Sequence, residues 1–413
     1  MNGLVVRRWR VDQSPAAPVE PFSAPIVEFL PSVQVGWGVS ADSTLRAMSN
    51  AVDERTPVDP RIQRIARRIV EGAQKGDRAR RIYRWIVSNV EDGEESDGRR
   101  VIVGKNGNLW RGFITLCDAL DIPVDYAVVQ NRLTLPAQGP FSESMLYTQP
   151  LLRVRAGTAP VWLTLGSKHA PFGYVPSETR GMPAVVLFGE GWEKTATPTS
   201  GTLDDAATEG TVRLAADGSA ELDLVQSFHG KYATGLRSVL SQLPARQIRD
   251  AIETRLLGGA LRGVELVNHT VQGLDDPDAP VRIVTKSRAR AFAQPVGKTL
   301  VVQPPFIPRL SQYATLPARQ TPLLIADSLS QRVKLTIELP QGAALESRLG
   351  PLEVRDAERS VVVSDKALAG KFTLERRVSI PAGRVQTRDY PNFLDFTRQA
   401  DEAISGSVRI RVR

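Results

Sequence analysis

A single cysteine, Cys117, serves the whole chain of 413 residues. One thiol forms no internal disulfide and no zinc site of several thiolates. His169, His229 and His269 lie far apart, and none belongs to a His-x-x-x-His or His-x-Glu pattern. No metal or other cofactor is therefore expected. Any chemistry that needs a nucleophilic thiol has to use Cys117. Hydrophobic residues make up 42% of the chain and charged residues 24%, which supplies cores and excludes wholesale disorder. At about 100–200 residues per domain, the length predicts two to three domains.

No run approaches ~18 consecutive apolar residues, so no transmembrane helix is expected. The start, MNGLVVRRWRVDQSP, lacks the apolar stretch and cleavage site of a signal peptide. It reads as a strand entered abruptly, as though the chain began inside a longer protein. The net charge of +8 is local: between Glu54 and Arg84 ten basic residues stand against four acidic ones. The plain reading is the solvated face of two amphipathic helices. Around Arg61, Arg64, Arg68 and Arg81 this face also suits contact with a polyanion. No aromatic residues interleave with these arginines as single-strand stacking requires, which argues against nucleic acid.

Patterning divides the chain into a short extended start, a mixed middle and a strand-rich remainder. Residues 1–36 read as extended. Helices are expected from Asp42 or Ser43 to Ala51, after Pro60, and over RARRIYRWIVSNV with Asp77 as cap. The acidic loop EDGEESDG follows, then the helix LWRGFITLCDAL, with Asn106-Gly107 as a turn and Asn106 or Asn108 as cap. PVDYAVVQ, LYTQPLLRVR, APVWLTLG and AVVLF are expected strands. The composition shifts near 195–210, and TVRLAADGSAELDLVQSF then reads as a hairpin about Asp217-Gly218. Helices at 231–241 and 244–258, strands from Val264 to Ile380, a helix at about 390–404 and the strand SGSVRIRVR complete the pattern. The domains expected are 1–40, partial and β-rich; 41–200, mixed; and 201–413, β-rich with helices.

Several segments resemble the transglutaminase-like (papain-superfamily) core of bacterial proteins that carry β-rich flanking domains. ARRIYRWIVSNV is similar to the family's helix before the active-site segment. NLWRGFITLCDALDIPVDYAVV is similar to its catalytic helix and following strand, and PVWLTLGSKHAPFGYVP to its "x-W-L-D-P…A-P-F-G-x-L-P". The resemblance implies an α+β fold: a papain-like core flanked by β-sandwich-like domains. It also implies a Cys-His-Asp triad, with the thiolate at a helix N-terminus. Matched onto this chain, the Cys position falls on Asn106, the His position on Gln149 and the Asp position on Thr164. An amide is no nucleophile, Gln149 moves no proton at neutral pH, and Thr164 fixes no imidazole tautomer. Cys117 lies eleven residues past Asn106, on the apolar face with Phe113, Leu116 and Leu120, and reads as a small buried hydrophobe.

Alternative sites are thin. Ser142, Glu143 and Ser144 lack a Gly-x-Ser-x-Gly elbow, and Gly104, Gly107 and Gly112 lack the Gly-Lys-Ser/Thr of a phosphate loop. The expectation is a pseudoenzyme of the bacterial envelope that binds a peptide, glycan-peptide or protein partner. Trp110, Tyr147, Trp162, His169 and Phe172 are candidates to line its cleft. The competing reading is a cysteine-independent or relocated-site hydrolase or transferase acting on peptide amides, with His169 as the nearest base. A third makes residues 205–413 the contact surface of a larger envelope assembly. The envelope follows from the resemblance to exported proteins; the cytoplasm stays open.

Overall fold

The computed structural model describes residues 7–13, 16, 18–25, 28, 33, 40–53, 57, 59–134, 147–188, 191–201 and 203–412. Five helices open the mixed region: α1 (Ala41–Asp53), α2 (Pro60–Ile69), α3 (Arg78–Asn89), α4 (Gly98–Gly104) and α5 (Leu109–Asp118). Asp59 caps α2 by accepting the Ile62 amide at 2.9 Å, with Pro60 at the first position, where a missing N–H costs nothing. Ile62 and Ala66 turn inward and the arginines outward. Asp77 stands at the α3 N-cap but makes no capping bond, contrary to expectation. Helix α4 falls where the sequence reads as loop. Its seven residues are too few for a helical period to register, and Asp97 caps it through the Arg99 and Arg100 amides.

The strands β1 (Val124–Gln130), β2 (Tyr147–Val154), β3 (Val161–Leu163), β4 (Pro183–Phe188) and β5 (Gly191–Ala196) form an antiparallel sheet in the order β3-β2-β1-β4-β5. On one face, Val124, Leu152 and Val154 join the core of α2, α3 and α5, while Leu45 of α1 packs on Val128, Val185 and Leu187. On the other, Ala127, Val129, Leu151, Ala184 and Val186 are covered by Trp162 and Val175. Burial on both faces explains why β4 and the Tyr126–Val129 stretch of β1 read as apolar runs instead of alternating. The polar β5, unexpected from sequence, pairs along the outer edge of β4.

Beyond this region come β6 (Ala206–Leu214), β7 (Ala220–Phe228), α6 (Gly230–Leu240) and α7 (Ala245–Ala251), which runs into a π-helical turn at Ile252–Leu257. Then follow β8 (Val264–Gln272), β9 (Val281–Ala289), β10 (Ala293–Val296), β11 (Thr299–Val302), β12 (Leu323–Ile325), β13 (Leu329–Glu338) and β14 (Ala344–Ser347). The chain ends with β15 (Leu352–Asp356), β16 (Arg359–Leu368), β17 (Lys371–Ile380), β18 (Gly383–Val385), α8 (Tyr390–Ser405) and β19 (Val408–Arg411). An eight-stranded sheet has the order β15-β16-β17-β13-β6-β7-β9-β8, a four-stranded sheet the order β10-β11-β19-β14, and β12 pairs β18. Every neighbour in the large sheet is antiparallel except β6 and β13. Both sheets and α8 share one core, with Val212, Leu335 and Leu374 from the large sheet, Leu300 and Ile410 from the small one, and Phe393 from α8. The whole is a mixed α+β structure.

The described part of the N-terminal segment makes no strand at residues 7–11. Farther on, Ser23 bridges Leu323, and the Leu324 amide donates to the Phe22 carbonyl at 2.7 Å. Glu20 accepts the amides of Gln320 and Thr321 and the Thr321 hydroxyl, beside the buried Arg319. This segment is thus tied to the strand-rich half. Most of the strand expected over 24–37 lies outside the described residues.

Candidate functional site

The turn into α5 is built by backbone constraint. Glu91 and Asn106 form a parallel bridge, and the Gly107 amide donates to the Glu91 carbonyl at 2.9 Å. Gly107 has φ +130°, and a Cβ there would lie 2.7 Å from the Glu95 carbonyl oxygen, so this position needs glycine. One residue on, the Asn108 side chain caps α5 by accepting the Arg111 amide. Trp110 then rests on Tyr126 with ring centroids 4.8 Å apart, and the Arg111 guanidinium lies 4.3 Å above the Trp110 ring.

A cleft of about 430 Å³ opens at this helix start. Its walls are Asn108, Leu109 and Trp110 of the α5 start, Gln149–Leu152 of β2, and Leu163–Gly166 at and beyond β3, with Asp92, Tyr126, Pro176 and Thr179. Gln149 and Thr164 therefore do meet in one cleft. The Gln149 amide donates to the Thr148 hydroxyl at 3.2 Å, and the Thr164 hydroxyl accepts the Gly166 amide at 3.0 Å.

Asn106 is not on this cleft. A Cβ on Gly93 would sit 2.8 Å from Asn106 Oδ1, which places that side chain against the 91–93 backbone. The bridge to Glu91 holds Asn106 ahead of the helix, and Asn108 is the asparagine that lines the cleft with Gln149 and Thr164.

Of the five residues expected to line the cleft, Trp110 does so. Tyr147 is buried with Leu45 and Val185, because β2 enters the sheet with this residue facing α1. Trp162 roofs the opposite sheet face. Phe172 packs against Tyr83 at 5.6 Å, and its amide donates to Asp278. His169 offers its carbonyl to the Thr234 hydroxyl at 3.3 Å and to Arg237. Burial, then the nearby Lys168 and Arg237 charges, lower its pKa, and Nε2 is buried without a hydrogen-bond partner among the described residues.

The segment HAPFGYVP thus works as a junction between the mixed and strand-rich halves. The Tyr83 hydroxyl donates to the Ala170 carbonyl at 2.9 Å, and the Tyr174 hydroxyl to Asp204 at 2.9 Å. Asp204 in turn accepts the Lys231 amide at the start of α6. Arg237, 1% exposed, donates to the carbonyls of Gly273, Asp276 and Ala279. Asp204, Arg237, Asp276 and Asp278 gave no signal in the sequence, since isolated charges carry no pattern.

Cys117 is fully buried, and burial pushes its thiol pKa well up. It lies eight residues past Leu109, about 12 Å along a helix at 1.5 Å per residue. Among the described residues lining the cleft there is no cysteine, histidine or lysine, and no three or more His, Cys, Asp or Glu side chains group as a metal site. What the cleft offers is amides, hydroxyls, one carboxylate and apolar walls. A larger hollow of about 1060 Å³ lies along α6, α7 and the π-helical turn, lined mainly by apolar side chains such as Tyr232, Leu236 and Leu243.

Residues 298–408 match DUF3858, a domain of unknown function with a solved structure. The match starts at β11 and ends as β19 begins, so its edge passes between β6 and β13, the parallel seam of the large sheet. No curated protein sequence matches the chain. Its fold is similar to that of a crystal structure described as a "putative protease" from Parabacteroides distasonis, with a TM-score of 0.55 at 10% identity. The likeness covers 96% of this chain and 64% of that one, so this chain spans less than two thirds of the length of the protein it resembles. At that identity the likeness concerns the fold.

Proposed function

We propose that residues 41–200 form a transglutaminase-like module without catalytic function, which binds an extended peptide in the cleft at the α5 start. The observation that carries this reading is the cleft at the α5 start that Gln149 and Thr164, the positions matched to the imidazole and the carboxylate, share with Asn108, while Asn106, the position matched to the thiol, lies outside it. These groups match the donors and acceptors of a peptide backbone. The helix start favours a carbonyl oxygen or carboxylate, and Trp110 and Leu163 supply apolar contact. β3 is an edge strand, and residues 163–166 run from it along the cleft, which suits a ligand lying in extended form.

The envelope setting belongs to this proposal and rests on the resemblance. Among the described residues no helix is long and apolar enough to cross a membrane.

The test has two parts. Selection from a random peptide library followed by calorimetry is expected to yield binders, with Gln149→Ala and Thr164→Val each weakening them by about 1 kcal/mol, the typical value of one hydrogen bond. Incubation with fluorogenic peptide amides is expected to give no turnover. Turnover that persists in Cys117→Ala and stops in His169→Ala would replace this reading by the relocated-site enzyme.

A further inference from the structure

Helix α2 carries Arg61, Arg64, Arg67 and Arg68 on its exposed side, and Lys75 and Arg81 continue the surface into α3. At 100° per residue the four α2 arginines fill about a third of the helix circumference, opposite Ile62, Ile65, Ala66 and Ile69. Among the described residues none of the six has a carboxylate within 4.0 Å, and Arg81 reaches only the Glu71 carbonyl. Nearby acids are otherwise engaged or few: Asp59 caps α2, Asp77 pairs with Arg80, and Glu71 is exposed.

Several exposed arginines elsewhere are paired, whereas Arg246, Arg255, Arg262, Arg282, Arg290 and Arg309 are scattered singly and, like the α2 arginines, have no carboxylate partner among the described residues. Arg213 pairs with Asp223 at 2.8 Å, Arg348 with Asp365 at 2.7 Å, Arg377 with Glu375 at 2.6 Å and Arg411 with Glu346 at 2.6 Å. Pairs 61/64, 64/67 and 64/68 stand three or four apart on one helix and repel, and Arg61 in the first turn opposes the helix dipole, while Arg67 and Arg68 in the last turn suit it. A helix that keeps these costs is shaped for an external anion.

We infer that the α2–α3 face docks on the phosphate surface of an anionic lipid bilayer. None of the six cations lines any of the three described cavities, so a single small anion finds no enclosure in them. The face has no exposed aromatic or aliphatic side chain among these cations, so it has nothing to stack on bases and nothing to insert below the headgroups. What remains is delocalised attraction between guanidinium groups and a sheet of phosphates, with Arg61 and Arg68 about 10 Å apart along the helix.

Co-sedimentation of the full chain with vesicles tests this. Binding is expected to vesicles of phosphatidylglycerol mixed with phosphatidylcholine and not to phosphatidylcholine alone, and to vanish as salt rises from about 0.05 to about 0.5 M. Each of Arg61→Gln, Arg64→Gln and Arg68→Gln should weaken binding roughly fivefold, and the triple variant about a hundredfold, with unchanged circular dichroism. Arg332→Gln, at a paired arginine, serves as the control and should change little. Equal binding to neutral vesicles, indifference to the triple substitution, or tighter binding to duplex DNA than to vesicles at equal phosphate would each overturn the inference.

Discussion

The Asp278 carboxylate, in the loop between β8 and β9, accepts the Phe172 amide at 2.7 Å while it pairs with Arg84 of α3. Two residues that sequence places 106 apart thereby lock the mixed half to the strand-rich half. Asp276 adds a second contact to Arg84 at 2.9 Å, and Arg80 lies 3.7 Å from Asp278.

Replacing Asp278 by alanine should therefore leave the Phe172 amide and Arg84 without their partner. The expected loss is about 1–3 kcal/mol, as for other partly buried, charge-assisted bonds. Urea denaturation reads it. Limited proteolysis should also show earlier cleavage between the two halves, and an unchanged digestion pattern would refute the lock.

Arg237→Met removes one cation but strands the carbonyls of Gly273, Asp276 and Ala279. A loss of about 1–3 kcal/mol is expected, the cost of leaving buried acceptors unsatisfied. Arg237→Lys should recover only part of it, because an ammonium group cannot reproduce the planar fork of donors. Thermal melts of the two variants give the comparison.

Acid should loosen α4 first. Hydrogen bonding to the Arg99 side chain, with help from the Arg99 and Arg100 amides, holds the Asp97 carboxyl down to about 2. A carboxyl with a lowered folded-state pKa stabilises the fold above its unfolded value, about 3.9, and the contribution fades as pH falls towards 2. Asp97→Ala should cost about 1 kcal/mol at pH 7, the usual value of a lost N-cap, and little near pH 2. A difference that stays constant across that range would contradict the linkage.

Cys117 should resist thiol reagents in the native protein, since both exclusion from solvent and a raised pKa suppress the thiolate. Its labelling rate is expected to follow global unfolding in a denaturant series. Prompt stoichiometric labelling in native buffer would show that the helix core opens.

The sequence by itself determined most of the local structure. The period of Ile62, Ile65, Ala66 and Ile69 defines α2, an asparagine at 106 or 108 before an apolar run marks the start of α5, and Asp217-Gly218 between alternating segments makes the β6–β7 hairpin. It also determined that Cys117 would be core, because eight residues into an apolar helix face leave it no route to solvent. Helix α4 and strand β5 escaped, one too short and one too polar to show a period.

Tertiary structure alone decided which side chains meet. Spacing from ALDI pointed to Asn106, yet the Glu91 bridge holds it outside the helix, and Asn108 shares the cleft with Gln149 and Thr164 instead. His169 and Phe172 look like cleft residues in one dimension, but the partners that claim them, Thr234, Arg237 and Asp278, arrive from the other half of the chain. Helical and strand periods are carried by neighbours in sequence, whereas a cleft and a junction are made by backbone contacts between distant segments. Those contacts leave no period to read.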